Sequence, residues 1–238
     1  MSQSANQTAF LSLLQLADTA LPIGSLAHSF GLETLVAEGY VTVPDLADFF
    51  QAYMLEVGRV EVIYGRFAYH AASLPTEDEF GQQWCSLNQE ISALKLSRES
   101  REASAVLGKR LLQLVGNLEP NNRIFQWAYA STQSMTVANH HAAVFGLIGG
   151  ALQMPETTTL LAFLQQAIAS QISACQRLLP LGQKQATALQ WHLHPTIIEI
   201  VQQVLDNDMA DLEAYSFAPL PDLASMRHPH LTTRLFIS

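Results

Sequence analysis

Charge is scarce in this chain. Asp, Glu, Lys and Arg together make up 14% of its 238 residues, against the usual quarter. A surface so poor in charge points to interfaces, so oligomerisation or complex formation is expected. Positive charge is the scarcer sign: 12 Lys and Arg stand against 21 Asp and Glu, for a net charge of −9. That balance argues against nucleic acid as a partner and suits a cationic metal or a basic protein. Cysteine is almost missing. Cys85 and Cys175 form no CxxC pair and no disulfide framework. Cys175 lies in an apolar helical stripe and reads as a small core residue. No apolar run approaches the roughly 18 residues of a membrane span. No basic stretch precedes the first apolar run after Met1–Gln7, so a secretory signal is not expected. A cytoplasmic protein with no membrane partner follows.

The motifs of the commoner chemistries are missing too. There is no GxxxxGK[ST] phosphate cradle, no GxGxxG after a strand, no GxSxG elbow and no HExxH. Gly182-Gln183-Lys184 lacks both the earlier glycine and the hydroxyl residue that would meet magnesium. His140-His141 and His192-Leu193-His194 do not converge readily on a helix, and adjacent His140 and His141 cannot both point inward easily. His228 and His230, in a Pro-rich segment read as extended, are weak metal candidates, because alternate side chains of an extended chain share a face. No firm metal site and no tightly bound cofactor are expected. Nucleophilic catalysis rests on Cys85 alone and has little support.

The hydrophobic period is helical nearly throughout, with no convincing strand alternation. Leu46, Phe49, Phe50, Tyr53, Val57, Val60, Tyr64, Phe67, Ala68 and Ala71 fall on one face at 100° per residue. Thr42, Pro44 and Asp45 supply the helix start, and Thr76 with Glu79 supplies another. From there one helix, or two, runs to about Val115, with Ala93, Leu96, Ala103, Leu107, Leu111 and Leu114 as its buried stripe. Arg98, Arg101, Lys109 and Arg110 lie opposite, either as a solvated face laced with ion pairs or as a docking face for an acidic partner. Further helices are expected near Arg123–Ala138, His141–Leu152, Leu160–Leu178, Gly182–Leu193 and Pro195–Leu205. The stripe of the 160–178 helix is so wide that it should sit centrally. The fold class is all-α: a single-domain bundle of roughly eight to ten helices over 1–214, followed by a non-helical, partner-docking tail over 215–238.

Two segments break the pattern. The first, Asp18 to Glu33, is punctuated by Pro22, Gly24 and Gly31, is nearly uncharged, and carries Leu21, His28, Ser29 and Glu33. It reads either as a buried turn or as a pocket or partner surface. The second is the tail. Pro219, Pro221 and Pro229 argue against a continuous helix there, yet the chain finishes on Arg234-Leu235-Phe236-Ile237-Ser238 rather than on small polar residues. Such an end needs a surface to cover it, its own body or a partner's, and a partner is favoured.

These segments also carry a resemblance. Leu21-Pro22-Ile23-Gly24-Ser25 and His28-Ser29-Phe30-Gly31-Leu32-Glu33 resemble the urease accessory protein UreF family. So do Ser100-Arg101-Glu102-Ala103-Ser104, Gly108-Lys109-Arg110-Leu111-Leu112, His140-His141 with Phe145-Gly146, Arg177 to Gln183, Ser225-Met226-Arg227-His228, and Arg234 to Ser238. Leu26 stands where the family often has Phe, and Pro229 where it commonly has an acidic residue. The resemblance implies an all-helical homodimer that is not an enzyme. It implies a bridge between the D/H-type accessory protein and the G-type GTPase, which together deliver nickel to the urease apoprotein, with nickel passing in transit. The missing phosphate cradle fits, since the partner would bring the nucleotide chemistry. The family's tail is associated with docking to the D/H-type protein, which carries over to Met226, Arg227, His228, Arg234, Leu235 and Phe236. The alternative is an all-α small-molecule hydrolase or cofactor-binding enzyme with a pocket at Pro22–Glu33.

Overall fold

The computed structural model describes residues 3–135 and 137–238, with the side chains of 3–6 and 135 excepted. Among the described residues there are α-helices and short 3-10 or π turns and no strand, so the all-α single-domain expectation holds. In chain order the helices are α1 (Gln3–Leu16), α2 (Leu32–Ala37), α3 (Leu46–Tyr53), α4 (Arg59–Ala71), α5 (Glu77–Leu94) and α6 (Arg98–Leu118). Then come α7 (Arg123–Met135), α8 (His141–Ala151), α9 (Glu156–Leu178), α10 (Gln183–His192), α11 (His194–Asp206) and α12 (Pro219–Arg227). None is long and apolar enough to cross a membrane.

Several starts are where the side chains predict them. Asp45 Oδ2 accepts from the Thr42 amide at 2.9 Å, closing the capping box ahead of α3. Thr76 Oγ1 accepts from Glu79 N at 3.3 Å to cap α5. The expected end of α7 runs past the observed one, and Thr136, within the expected span, lies outside the described residues.

Two register expectations are corrected. Helices α3 and α4 are joined by a π turn over Met54–Gly58, which takes more residues per turn and so falls behind the straight 100° count. Past it Val62 and Ile63 are fully buried as well as Tyr64 and Ala68, so α4 is covered on two sides. Helices α5 and α6 are separate, capped apart by Ser97. The period restarts at that break, so Leu96, expected inside, is 63% exposed, and Ala93 is exposed too.

The centre is the pair α4 and α8, with α6 and α9 packed against α8. Two glycines set their distance. A Cβ at Gly146 would lie 1.9 Å from Gly65 O, and one at Gly150 would lie 2.2 Å from Tyr69 O. The backbones touch, which only glycine permits. From Ala142 to Gly149 every residue of α8 is buried. Helix α9 packs on α4, α8, α10 and α11, in keeping with its wide stripe.

The non-helical reading of the tail is corrected over 219–230, while 215–218 and 231–238 carry no helix. Pro219 to Arg227 form α12, and His228 to His230 a 3-10 turn. Pro219 and Pro221 sit in the first turn, where amides have no intrahelical acceptor to lose, and Pro219 is pre-set for helical φ. Pro229 follows the last turn rather than interrupting it.

Candidate partner-docking site

The loop and the tail form one site. Helix α12 packs on α2 and α6, and close approach requires Gly31, whose φ is +89° and whose Cβ would lie 2.7 Å from Pro221 O and 2.9 Å from Ser225 Oγ. Phe30, at φ 51°, and Gly24, at φ 87°, also take left-handed backbone. These turns aim Glu33, at the start of α2, into the tail. Its carboxylate, buried, accepts from Leu235 N at 2.5 Å and Phe236 N at 3.1 Å, and its Oε2 lies 2.8 Å from His228 Nε2. On the other side of the imidazole, Glu99 Oε2 lies 2.8 Å from Nδ1, an ion-pair contact rather than an aligned hydrogen bond. His228 is fully buried between the two carboxylates.

The last residues complete the seam. Ile237 N donates to Ala27 O at 2.9 Å, and Ser29 N donates to Ser238 O. Ser238 Oγ lies 2.7 Å from His28 Nδ1. Phe236 is buried with the Arg177 guanidinium 4.2 Å from its ring centroid, and Arg177 also donates to Leu26 O at 2.9 Å. Ser100 Oγ donates to Ser225 Oγ at 3.0 Å, and Arg227 pairs with Glu38 at 2.6 Å. The tail's first cover is therefore its own body. Sequence reasoning found both halves and missed their union, along with Glu99, Arg177, Glu38 and Ser238.

The residues expected to meet a partner divide into two sets. Phe236 and His228 face inward as anchors. Met226, Arg227, Arg234 and Leu235 face outward, and with them Phe217, 79% exposed, Leu220, Leu223 and Ile237, 70% exposed. His228 and His230 do not share a face: residues two apart in a 3-10 turn point about 240° apart, and His230 is exposed. Among the described residues no group of three His, Cys, Asp or Glu side chains is placed to hold a metal ion.

The basic residues of α6 also divide. Arg101 donates to Lys95 O at 2.7 Å, closing the end of α5, and Arg110 donates to Ile23 O at 3.2 Å, holding the loop. Arg98 faces solvent beside Glu102 at 3.7 Å, and Lys109 is exposed.

Behind His28 lies a cavity of about 40 Å³, lined by His28, His141, Gln166, Ser170 and Gln171 among others. It holds only two or three water-sized groups by the ~15 Å³ each requires. Burial, with the Arg110 charge second, lowers the pKa of His28. His140 and His141 both point inward, against expectation, because they straddle the start of α8. His140 is its extended N-cap and His141 its first turn. Burial lowers them to about 3 and about 4. Cys85 is buried too, which pushes its thiol up, the wrong direction for a nucleophile.

Residues 41–194 match the UreF family. The chain belongs to that family. The "Urease accessory protein UreF" of Haemophilus influenzae is 32% identical over all of both chains. That of Actinobacillus pleuropneumoniae is 30% identical over 95% of this chain and 98% of its own, and that of Lachnoclostridium phytofermentans 30% over 96% and 98%. The UreF family match takes in the α4–α8 centre but neither half of the docking site. The relatives of that name align across both.

Proposed function

We propose that this chain is a non-catalytic adaptor in urease maturation, bridging the D/H-type accessory protein and the G-type GTPase for nickel insertion into the urease apoprotein. The observation that carries the reading is the apolar face of the anchored tail: Leu220, Leu223, Met226 and Leu235 stay exposed while Glu33 and Phe236 pin the segment beneath them. An ordered, exposed apolar patch of this kind marks an interaction site. The names of the relatives support the urease context, and the missing phosphate cradle leaves nucleotide hydrolysis to the partner. A cytoplasmic homodimer, with nickel as cargo in transit and no resident cofactor, belongs to the same reading.

The test is the triple variant Leu223→Ser, Met226→Ser, Leu235→Ser. All three side chains are exposed, so melting temperature should stay within a few degrees. Binding to the D/H-type protein should fall by roughly 30-fold or more, taking two to three apolar anchors at about 1 kcal/mol each. Urease activation in cells should fall with it. Retained binding by a folded triple variant overturns the reading. Deleting the chain from Ser225 is a poorer test, because it strips Glu33 and Glu99 of buried partners.

A further inference from the structure

Beneath α12 lies a second pocket, and its chemistry specifies an occupant. It is a cavity of about 60 Å³ between α12, α4, the π turn and the ends of α5 and α6. Its walls are aromatic and aliphatic, with Phe30, Tyr53, Val57 and Tyr64 among them. Three charged side chains line it. Lys95 and Glu61 satisfy each other at 2.7 Å. Asp222, in the first turn of α12, is the third. Its carboxylate makes no hydrogen bond or ion pair among the described residues, and partial burial raises its pKa against the opposing pull of the Lys95 charge.

We propose that this pocket receives a lysine or arginine side chain from the protein that docks on the tail, with its charged head on Asp222 and its methylenes against Val57 and Tyr53. The inference rests on the adaptor reading above and names the chemistry its partner must present. Lys95 is the only cation lining the pocket and faces two carboxylates, Glu61 and Asp222, so the lining carries a net negative charge, and burying it under a partner without a cation would be costly. A long cationic side chain balances that charge and also supplies apolar length for the walls, and aromatic rings favour a cation at their faces. About 60 Å³ takes roughly four water-sized groups, which is the outer part of such a side chain rather than its whole length. A net charge of −9 favours a basic partner surface.

The test uses the full-length chain, the purified D/H-type protein, and n-butylguanidinium as a small probe. Asp222→Asn keeps the shape and removes the charge. Val57→Phe fills the pocket from the opposite wall without touching α12. Each should weaken partner binding at least tenfold, the Asp222→Asn loss should shrink at high salt, and n-butylguanidinium should compete in the wild type only. If the partner binds both variants within twofold of wild type, or n-pentanol competes as well as n-butylguanidinium, the cation pocket is wrong while the adaptor reading stands. If the wild-type chain does not bind the partner at all, both fail.

Discussion

In the sequence Glu33 closes an odd loop that reads as a buried turn or a partner surface and ends a UreF-like motif, with nothing to name what its carboxylate meets. In the structure its carboxylate takes two backbone amides and a ring nitrogen, all from residues about 200 positions later. Nothing in local spacing encodes such a pairing, so the loop and the tail read as two separate anomalies. Glu33→Ala leaves those donors without acceptors and His228 with one carboxylate. A loss of about 3 kcal/mol is expected, with proteolytic cleavage appearing within 215–238 before the helical body is cut. A tail as resistant as wild type would contradict the anchoring role. His140 gives a second prediction. Its pKa is held near 3 by burial, with Lys95 and Arg101 adding to the effect, while the unfolded chain titrates it near 6.5. The unfolded state therefore takes up protons first as pH falls. Stability is constant above about pH 7 and declines below 6.5, by at most ~1.4 kcal/mol per pH unit for this side chain. His141, held near 4, adds to the same slope. Urea midpoints from pH 7.5 to 4.5 should show the fall, and His140→Asn should flatten it.

At the scale of elements, helix starts were legible because Thr42 with Asp45 and Thr76 with Glu79 make self-contained caps. What failed was continuity. The π turn at Met54–Gly58 and the break before Ser97 each reset the period, hiding the burial of Val62 and Ile63 and misplacing Leu96. The prolines of α12 misled for a related reason: the rule against proline concerns helix interiors, and these stand in a first turn. The α4–α8 contact was equally hidden, since glycines in a sequence do not announce which backbone they meet. Gly146→Ala would set a methyl 1.9 Å from Gly65 O, so the helices must separate. A loss of about 3 kcal/mol or more is expected by thermal melting, whereas Gly39→Ala, with open space around it but a φ of +76°, should cost about 1 kcal/mol.

For the whole molecule, an acidic, charge-poor body closes its own tail against one end and leaves the outer side of that tail apolar. The resemblance to UreF proteins was legible from short ordered motifs, and their purpose becomes visible in the fold: several are the two sides of the tail seam. The central claim is that the tail is held by the body first and read by a partner second. Amide hydrogen exchange on the full chain, alone and with the D/H-type protein, tests it most directly. The account predicts slow exchange at Leu235, Phe236 and Ile237 in the free chain, and added protection on complex formation centred on residues 217–226. Fast exchange at those three amides in the free chain, or protection that spares 217–226, would contradict it.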